Sequence, residues 1–252
     1  ITMFNQPSGW SYWIHDCDYV VFDKCKILAE VRYPNNDGIH INSSRNVTVS
    51  NCDIVTGDDC IVVRANNRSL AENKVCEKVT VTNCNLTSYS GGIRIGWISD
   101  GVIKNCTFSN LVMTDTVIGI SIVLPDFSKV PDRGREDTLI ENLLFNNIVM
   151  DKIYGRPIKI YIGQTDGTRC EAIRNIYFSK VVASGLEFPY LCGRKDNKIR
   201  NIYFNDCRFE CLSDEELPNF RQHGAADWDR SHGVPIFDNI ENIVFNNTNF
   251  SK

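Results

Sequence analysis

Three carboxylates are spaced so that they could act together: Asp37 in 35-NNDG-38, and the adjacent pair Asp58 and Asp59 in 57-GDDC-60, 21 positions further on. Hydrolysis of a glycosidic bond needs such a set. One protonated acid serves the leaving oxygen, and carboxylates opposite it activate water. Aspartate beside glycine is also ordinary turn chemistry, so the motifs gain meaning only if the chain brings them side by side.

The elements that must position them are visible as a repeat. One phrase recurs as 20-VVFDKCKI-27, 46-NVTVSNCDI-54, 78-KVTVTNCNL-86, 101-GVIKNCTF-108, 142-NLLFNNIVM-150, 175-NIYFSKVVA-183, 201-NIYFNDCRF-209 and 242-NIVFNNTNF-250. Each copy reads as a short strand of β-branched and aromatic residues, an Asn-rich polar corner, and a second apolar pair. With Phe22, Val49, Val81, Ile103, Phe145, Phe178, Phe204 and Phe245 as markers, successive copies lie 22 to 42 residues apart. Self-similarity on this scale without helical periodicity indicates a β-solenoid, since a propeller blade needs about 40 or more residues in each unit. The expected fold is all-β, a right-handed parallel β-helix, with residues 1–252 forming one such domain.

The repeat also places many of the eleven cysteines. Cys25, Cys52, Cys84, Cys106 and Cys207 share the slot that holds Ile148, Val181 and Thr248 in other copies. A slot open to Cys, Ile, Val and Thr is a small buried position. One thiol per coil in a line cannot form a tetrahedral metal site, so these read as core thiols. The other six are open to disulfide pairing.

A second strand recurs between the phrases, as 38-GIHI-41, 60-CIVV-63, 92-GIRI-95, 119-GISI-122 and 157-PIKI-160. Alternation turns the Ile and Val residues inward and sets His40, Val62, Arg94, Ser121 and Lys159 in one outward row. Asp37 then lies one coil from Asp58 and Asp59, about 4.8 Å away along the axis. Stacked carboxylates repel one another and raise at least one pKa, an arrangement that a fold alone does not require.

Composition sets the outer limits. With 252 residues, 42% of them hydrophobic, the chain can bury a large core. A net charge of −4 gives no basic footprint for nucleic acid or an anionic membrane, and no apolar run is long enough for a membrane span. The sequence opens on Ile1 without a signal peptide, and the expectation is a segment of a longer chain.

The motifs 35-NNDG-38, 57-GDDC-60 and 90-SGGIRIG-96 resemble, in order and spacing, the N-T-D-G, G-D-D-C and G-H-G-I-S-I-G motifs of the polygalacturonases, glycoside hydrolase family 28. The resemblance extends through the coil pattern over most of the chain. It implies a right-handed parallel β-helix, a polysaccharide or oligosaccharide substrate, no metal or organic cofactor, and inverting hydrolysis of α-glycosidic bonds in a pectin-like polymer. By the same resemblance Asp58 is the general acid, and Asp37 and Asp59 position and deprotonate water. It further implies a secreted or cell-envelope protein, and an N-terminal portion that precedes this segment in the family.

Two departures stand out. Gly91 occupies the family's His position, and Ser121 and Val123 occupy the Arg and Lys positions of its R-I-K motif. Either the bound sugar is neutral or differently linked, or its cationic partner has moved to Arg94 and Lys159, with Arg64 a third candidate. Trp97 and Tyr161 could stack on sugar rings. His40 could tune the acids or stand exposed without a role. Trp10, Trp13 and His15 read as edge packing. Residues 212–235, with His223, Trp228 and His232, read as a loop over the groove or a plain insertion. Sequons at Asn46 and Asn67 permit glycosylation in a secreted protein. Two other functions fit the same fold: a carbohydrate-binding β-helix without catalysis, and a polysaccharide lyase, for which no clear base is present.

Overall fold

A computed structural model describes residues 1–4, 9–126, 136–217 and 233–252. His223, Trp228 and His232 lie outside the described residues. Among those described there is no helix, and every pair of named strands is parallel. The strands form two long sheets. One has eight strands and runs Tyr12–His15, Ile39–Asn42, Ile61–Arg64, Gly91–Ile95, Ile118–Leu124, Ile158–Ile162, Tyr190–Cys192 and Ile236–Asp238. The other carries the longer strands, such as Val102–Thr116 and Thr138–Ile153, which wrap around the remaining sides.

The Asn-rich corners explain how a continuous strand turns. Asn105, Asn142, Asn175, Asn201 and Asn242 all have φ between 54° and 62°, the left-handed region that Asn tolerates better than most residues. Their side chains then hydrogen-bond along the axis. Asn142 donates to Asn105 at 3.1 Å, Asn175 to Asn142 at 3.0 Å, and Asn201 to Asn175 at 2.9 Å. The corner and the ladder are one device, because the same residue bends the backbone and bonds to the next coil.

Inside, like residues stack. Phe108, Phe145, Phe178 and Phe204 form a buried column, which the partly exposed Phe245 ends, with ring centroids 4.8 to 5.1 Å apart. This column corrects one sequence assignment. Phe108 pairs with Val81 and with Phe145, whereas Ile103 pairs with Cys76 and Ile140. The fourth repeat is therefore 105-NCTFSNLVM-113, one corner later than 101-GVIKNCTF-108. Cys106 moves with it, into the column of Leu143 and Ile176, and Leu111 takes the slot of Cys84 and Ile148. Both readings share the single Asn105-Cys106 pair, which made both alignments readable. All eleven thiols are free.

Phe178 lies between Phe145 and Phe204 with no exposed surface. Phe178→Ala should cost about 3–5 kcal/mol of unfolding free energy, as buried Phe truncations do, read from urea denaturation. A loss below about 1 kcal/mol would contradict this packing.

Candidate active site

The eight-stranded sheet supplies the floor of the site. Ile39, Ile41, Ile61, Val63, Ile93, Ile95, Ile120, Ile122, Ile158 and Ile160 point inward without exposure. Register then fixes the outward row: Trp13 beside His40, His40 beside Val62, Val62 beside Arg94, Arg94 beside Ser121, and Ser121 beside Lys159. The row read from alternation is present in full. Sequence did not show that it runs on to Tyr190, which pairs with Lys159.

The acids sit at the turns that open these strands. The Gly38 amide donates to the Asp59 carbonyl at 2.9 Å, which sets Asp37 beside Asp59 in adjacent coils. Gly38 is required here, because a Cβ would stand 2.4 Å from the Cys60 carbonyl oxygen. The 57-GDDC-60 turn is tied down by the hydroxyls of Thr56 and Ser88, which both donate to the Asp58 carbonyl, at 2.5 and 2.6 Å. The Asp58 carboxylate is half-buried and accepts the Asn35 and Asp59 amides, each at 3.0 Å.

Asp37 and Asp59 are almost wholly buried, at 1% and 3% exposure. Arg94 stands between them, with Nε 2.9 Å from Asp59 Oδ2 and Nη2 3.8 Å from Asp37 Oδ2. His40 Nδ1 approaches Asp37 Oδ2 at 3.4 Å. Despite these approaches, Asp37 Oδ2, Asp59 Oδ2, His40 Nδ1 and Arg94 Nε all lack an aligned hydrogen bond. These four atoms meet by proximity, while Asp59 Oδ1 accepts a hydrogen bond from the Ser90 hydroxyl at 3.2 Å. Buried polar groups are nearly always hydrogen-bonded, and this cluster departs from that rule.

Electrostatics follow from the burial. Desolvation, then the charge of Asp58, pushes the Asp37 carboxyl up to about 7 against the pull of Arg94 and Arg64. Desolvation also raises Asp59 to about 7; Arg94 opposes the shift, and Asp58 and Asp37 add to it. Burial, with the charges of Arg64 and Arg94, holds His40 down to about 3, so its ring is neutral near pH 7. Burial works against the charge of Arg94, but Asp59, Asp37 and Asp58 outweigh it and hold the guanidinium above its usual range.

A groove of about 530 Å³ opens beside this cluster, lined by Asp59, Gly91, Arg94, Trp97, Lys159 and Tyr161 among others. Gly91 gives Asp59 its place, since a Cβ there would lie 2.5 Å from Asp59 Oδ1. Absence of a side chain at the family's His position and presence of Arg94 are thus parts of one arrangement. The Arg94 guanidinium rests 4.7 Å from the Trp97 ring centroid, which occupies one face of that indole. Tyr161 donates its hydroxyl to Asp126 at 2.5 Å, and the Lys159 amine lies 5.7 Å from the Tyr190 ring.

Other sequence candidates fall elsewhere. Arg64 is 7% exposed, and its Nε donates to Asp100 at 2.6 Å while Nη2 donates to the Ile98 carbonyl at 3.1 Å. His40 is not exposed: it is 2% accessible and roofed by Trp10, with ring centroids 3.9 Å apart. Trp10 and Trp13 are 40% and 58% exposed and line a groove, rather than packing an edge. Asp126 and Tyr190 escaped sequence reading, because neither stands in a repeated motif. Asn67 is 5% exposed, which disfavours a glycan there. Among the described residues no three His, Cys, Asp or Glu side chains gather as a metal group, and no helix is long and apolar enough to cross a membrane.

Known proteins give the arrangement its context. A polygalacturonase of Brassica napus is 37% identical over 216 residues, which cover 80% of this chain and 50% of that protein. A probable polygalacturonase of Arabidopsis thaliana is 26% identical over 208 residues, covering 77% and 42%. The chain spans about half the length of such relatives, or less. Among solved structures, an exopolygalacturonase from Thermotoga maritima superposes with a TM-score of 0.69 at 18% identity, over 95% of this chain and 49% of that one. An endo-xylogalacturonan hydrolase from Aspergillus tubingensis gives 0.65 at 18% identity, over 96% and 64%. These likenesses identify the fold as a right-handed parallel β-helix. The family model described as glycosyl hydrolases family 28 matches residues 1–211, more than four-fifths of the sequence, and the chain belongs to that family.

Proposed function

We propose that this protein hydrolyses α-glycosidic bonds in a pectin-like or related polysaccharide, with inversion, through Asp37, Asp58 and Asp59. The observation that carries this reading is the buried pair Asp37 and Asp59, both raised to about 7 and both with an oxygen lacking an aligned partner, the second of them lining a groove. A pair that titrates near neutrality can hold and release a proton during turnover. In the roles that family membership suggests, Asp58 protonates the leaving oxygen while Asp37 and Asp59 orient and deprotonate water. Inversion calls for about 6.5–9.5 Å between acid and base, room for that water.

Arg94, Lys159, Tyr161 and Trp97 border the space in which the sugar would lie, and Lys159 and Arg94 are the cations nearest to hand for a uronate. Arg64 and His40 act from behind the acids, through the charge of one and the closeness of the other to Asp37. The setting that suits this activity is extracellular or in the cell envelope, where such polymers occur. The experiment is a panel of pectic and neutral polysaccharides, with reducing ends counted and the first product anomer read by NMR. The expected result is cleavage with inverted configuration. An unsaturated, ultraviolet-absorbing product would point to a lyase, and saturable binding without cleavage of any polymer would leave a carbohydrate-binding β-helix in its place.

A further inference from the structure

Arg94 stands where the family's G-I-S-I-G sequence carries Ser, and its surroundings give the exchange a chemical consequence. Its neighbours in the outward row are Val62 and Ser121, and neither carries charge. The next cation along the row, Lys159, is two strand spacings away, about 9.6 Å. The Arg94 guanidinium turns to the acids, with Nε 2.9 Å from Asp59 Oδ2 and Nη2 3.8 Å from Asp37 Oδ2. Trp97 closes one side, its ring centroid 4.7 Å from the guanidinium carbon, and so holds the group in place. Arg94 Nε makes no aligned hydrogen bond. The pairing acts through charge and distance.

The charges around Asp37 and Asp59 give Arg94 its weight. Asp58 adds negative charge at both positions. His40, 3.4 Å from Asp37, is neutral near pH 7 and supplies no cation. Arg64 acts on Asp37 less than Arg94 does, and its Nε is bound to Asp100 at 2.6 Å. Ser90 offers Asp59 a hydroxyl at 3.2 Å, a dipole without charge. Burial and a neighbouring carboxylate both favour the protonated acid, whereas an opposite charge within about 4–6 Å favours the carboxylate by about 1–3 pH units. Arg94 comes within that distance of both acids at once.

We propose that Arg94 is a positioning residue for the reaction, acting through Asp37 and Asp59: its charge makes that pair carboxylates near neutral pH, ready to take a proton from water. The inference rests on the hydrolytic reading above and deepens it. Removing the guanidinium leaves two buried acids beside Asp58 with no cation at contact distance, so their ionisation moves to higher pH.

The test follows two readouts. One is the acidic limb of kcat/KM, which reports groups of the free enzyme. The other is the Asp59 carboxyl titrated by 13C NMR without substrate, its signal assigned by loss in Asp59→Asn. Arg94→Gln should move both upward by at least about one pH unit, which lowers kcat/KM about tenfold at a fixed pH on the limb. Arg94→Lys keeps a positive charge and should move them less than half as far. A limb and a carboxyl signal that stay in place in Arg94→Gln overturn the proposal. So does a KM raised by one factor at every pH with the limb fixed, the mark of a sugar contact. Where Arg94→Gln does not fold, Asp59→Asn is compared with the double variant Asp59→Asn, Arg94→Gln, in which both partners are neutral. There the Asp37 carboxyl should titrate about one unit higher without the guanidinium, and an unmoved Asp37 overturns the proposal. The two readings fail separately. A protein that cleaves no polymer but whose Asp59 signal moves with Arg94 removes the hydrolase and keeps this control of ionisation, and cleavage with limb and signal indifferent to Arg94 does the reverse.

Discussion

Replacing Asp58 with Asn is expected to lower the rate of chain cleavage by about 10²–10⁴-fold, the usual worth of a positioned general acid, while oligosaccharide affinity stays within about threefold. Asn is nearly isosteric and cannot deliver the proton. The structure says why the turn should survive. The Asp58 carbonyl is fixed by Thr56 and Ser88, neither of which depends on the side chain's charge. One carboxylate oxygen serves the Asp59 amide and the other the Asn35 amide. Asn keeps a single oxygen, so one of those amides loses its acceptor. Such a loss costs ~1–3 kcal/mol in a dry interior, and less at a half-buried position where water can replace it. Cleavage, binding and melting temperature measured together separate the possible roles. A catalytic Asp58 loses rate with small changes in the other two. An Asp58 that serves only the turn gives a lower melting temperature and an unchanged rate per folded molecule, which would defeat the proposed mechanism.

The sequence carried the row from His40 to Lys159 because alternation has a period of two, and the inward Ile residues left it no other face. It carried the nearness of Asp37 to Asp59 because a solenoid turns sequence spacing into stacking. What it could not carry depends on depth and on partners far along the chain. Nothing local to His40 shows that Trp10, thirty residues earlier, covers it. Nothing near Arg64 announces Asp100, 36 positions on. The misplaced fourth repeat has a similar cause. 101-GVIKNCTF-108 fits the pattern as well as its true successor, and only the Phe108 to Phe145 stack, 4.8 Å between centroids, decides between them. From the sequence, Gly91 looked like a loss from a family motif and Arg94 like one candidate for a displaced cationic contact. In space, the missing side chain makes room for Asp59, and the added one meets it.

Stability should fall as pH rises from about 4 to about 7, opposite to the trend of a protein whose carboxylates are all paired. Asp37 and Asp59 have folded pKa values of about 7, above the value near 3.9 in an unfolded chain. A raised acid binds its proton more tightly when folded, so its contribution is complete below pH 4 and is lost as pH climbs through 7. His40 acts in the other direction. Held to about 3 when folded, it costs stability as pH falls below about 6.5. Two acids against one histidine leave a net slope of about one proton, ~1.4 kcal/mol per pH unit, between roughly pH 4 and 6.5, a loss on the order of 3 kcal/mol. Exposed carboxylates held low by their partners, such as Asp16, Asp23 and Asp196, oppose this only below about pH 4. Urea midpoints across pH 4 to 8 would show the fall, and Asp59→Asn, which removes one acid, should flatten it between pH 4 and 6.5. An unchanged slope in that variant would mean that Asp59 ionises normally. Arg94 sets the depth of the effect, because its guanidinium is what permits either acid to ionise inside the wall. The fall ends near pH 7, where Asp37 and Asp59 themselves become carboxylates, the form that the proposed mechanism needs to take a proton from water.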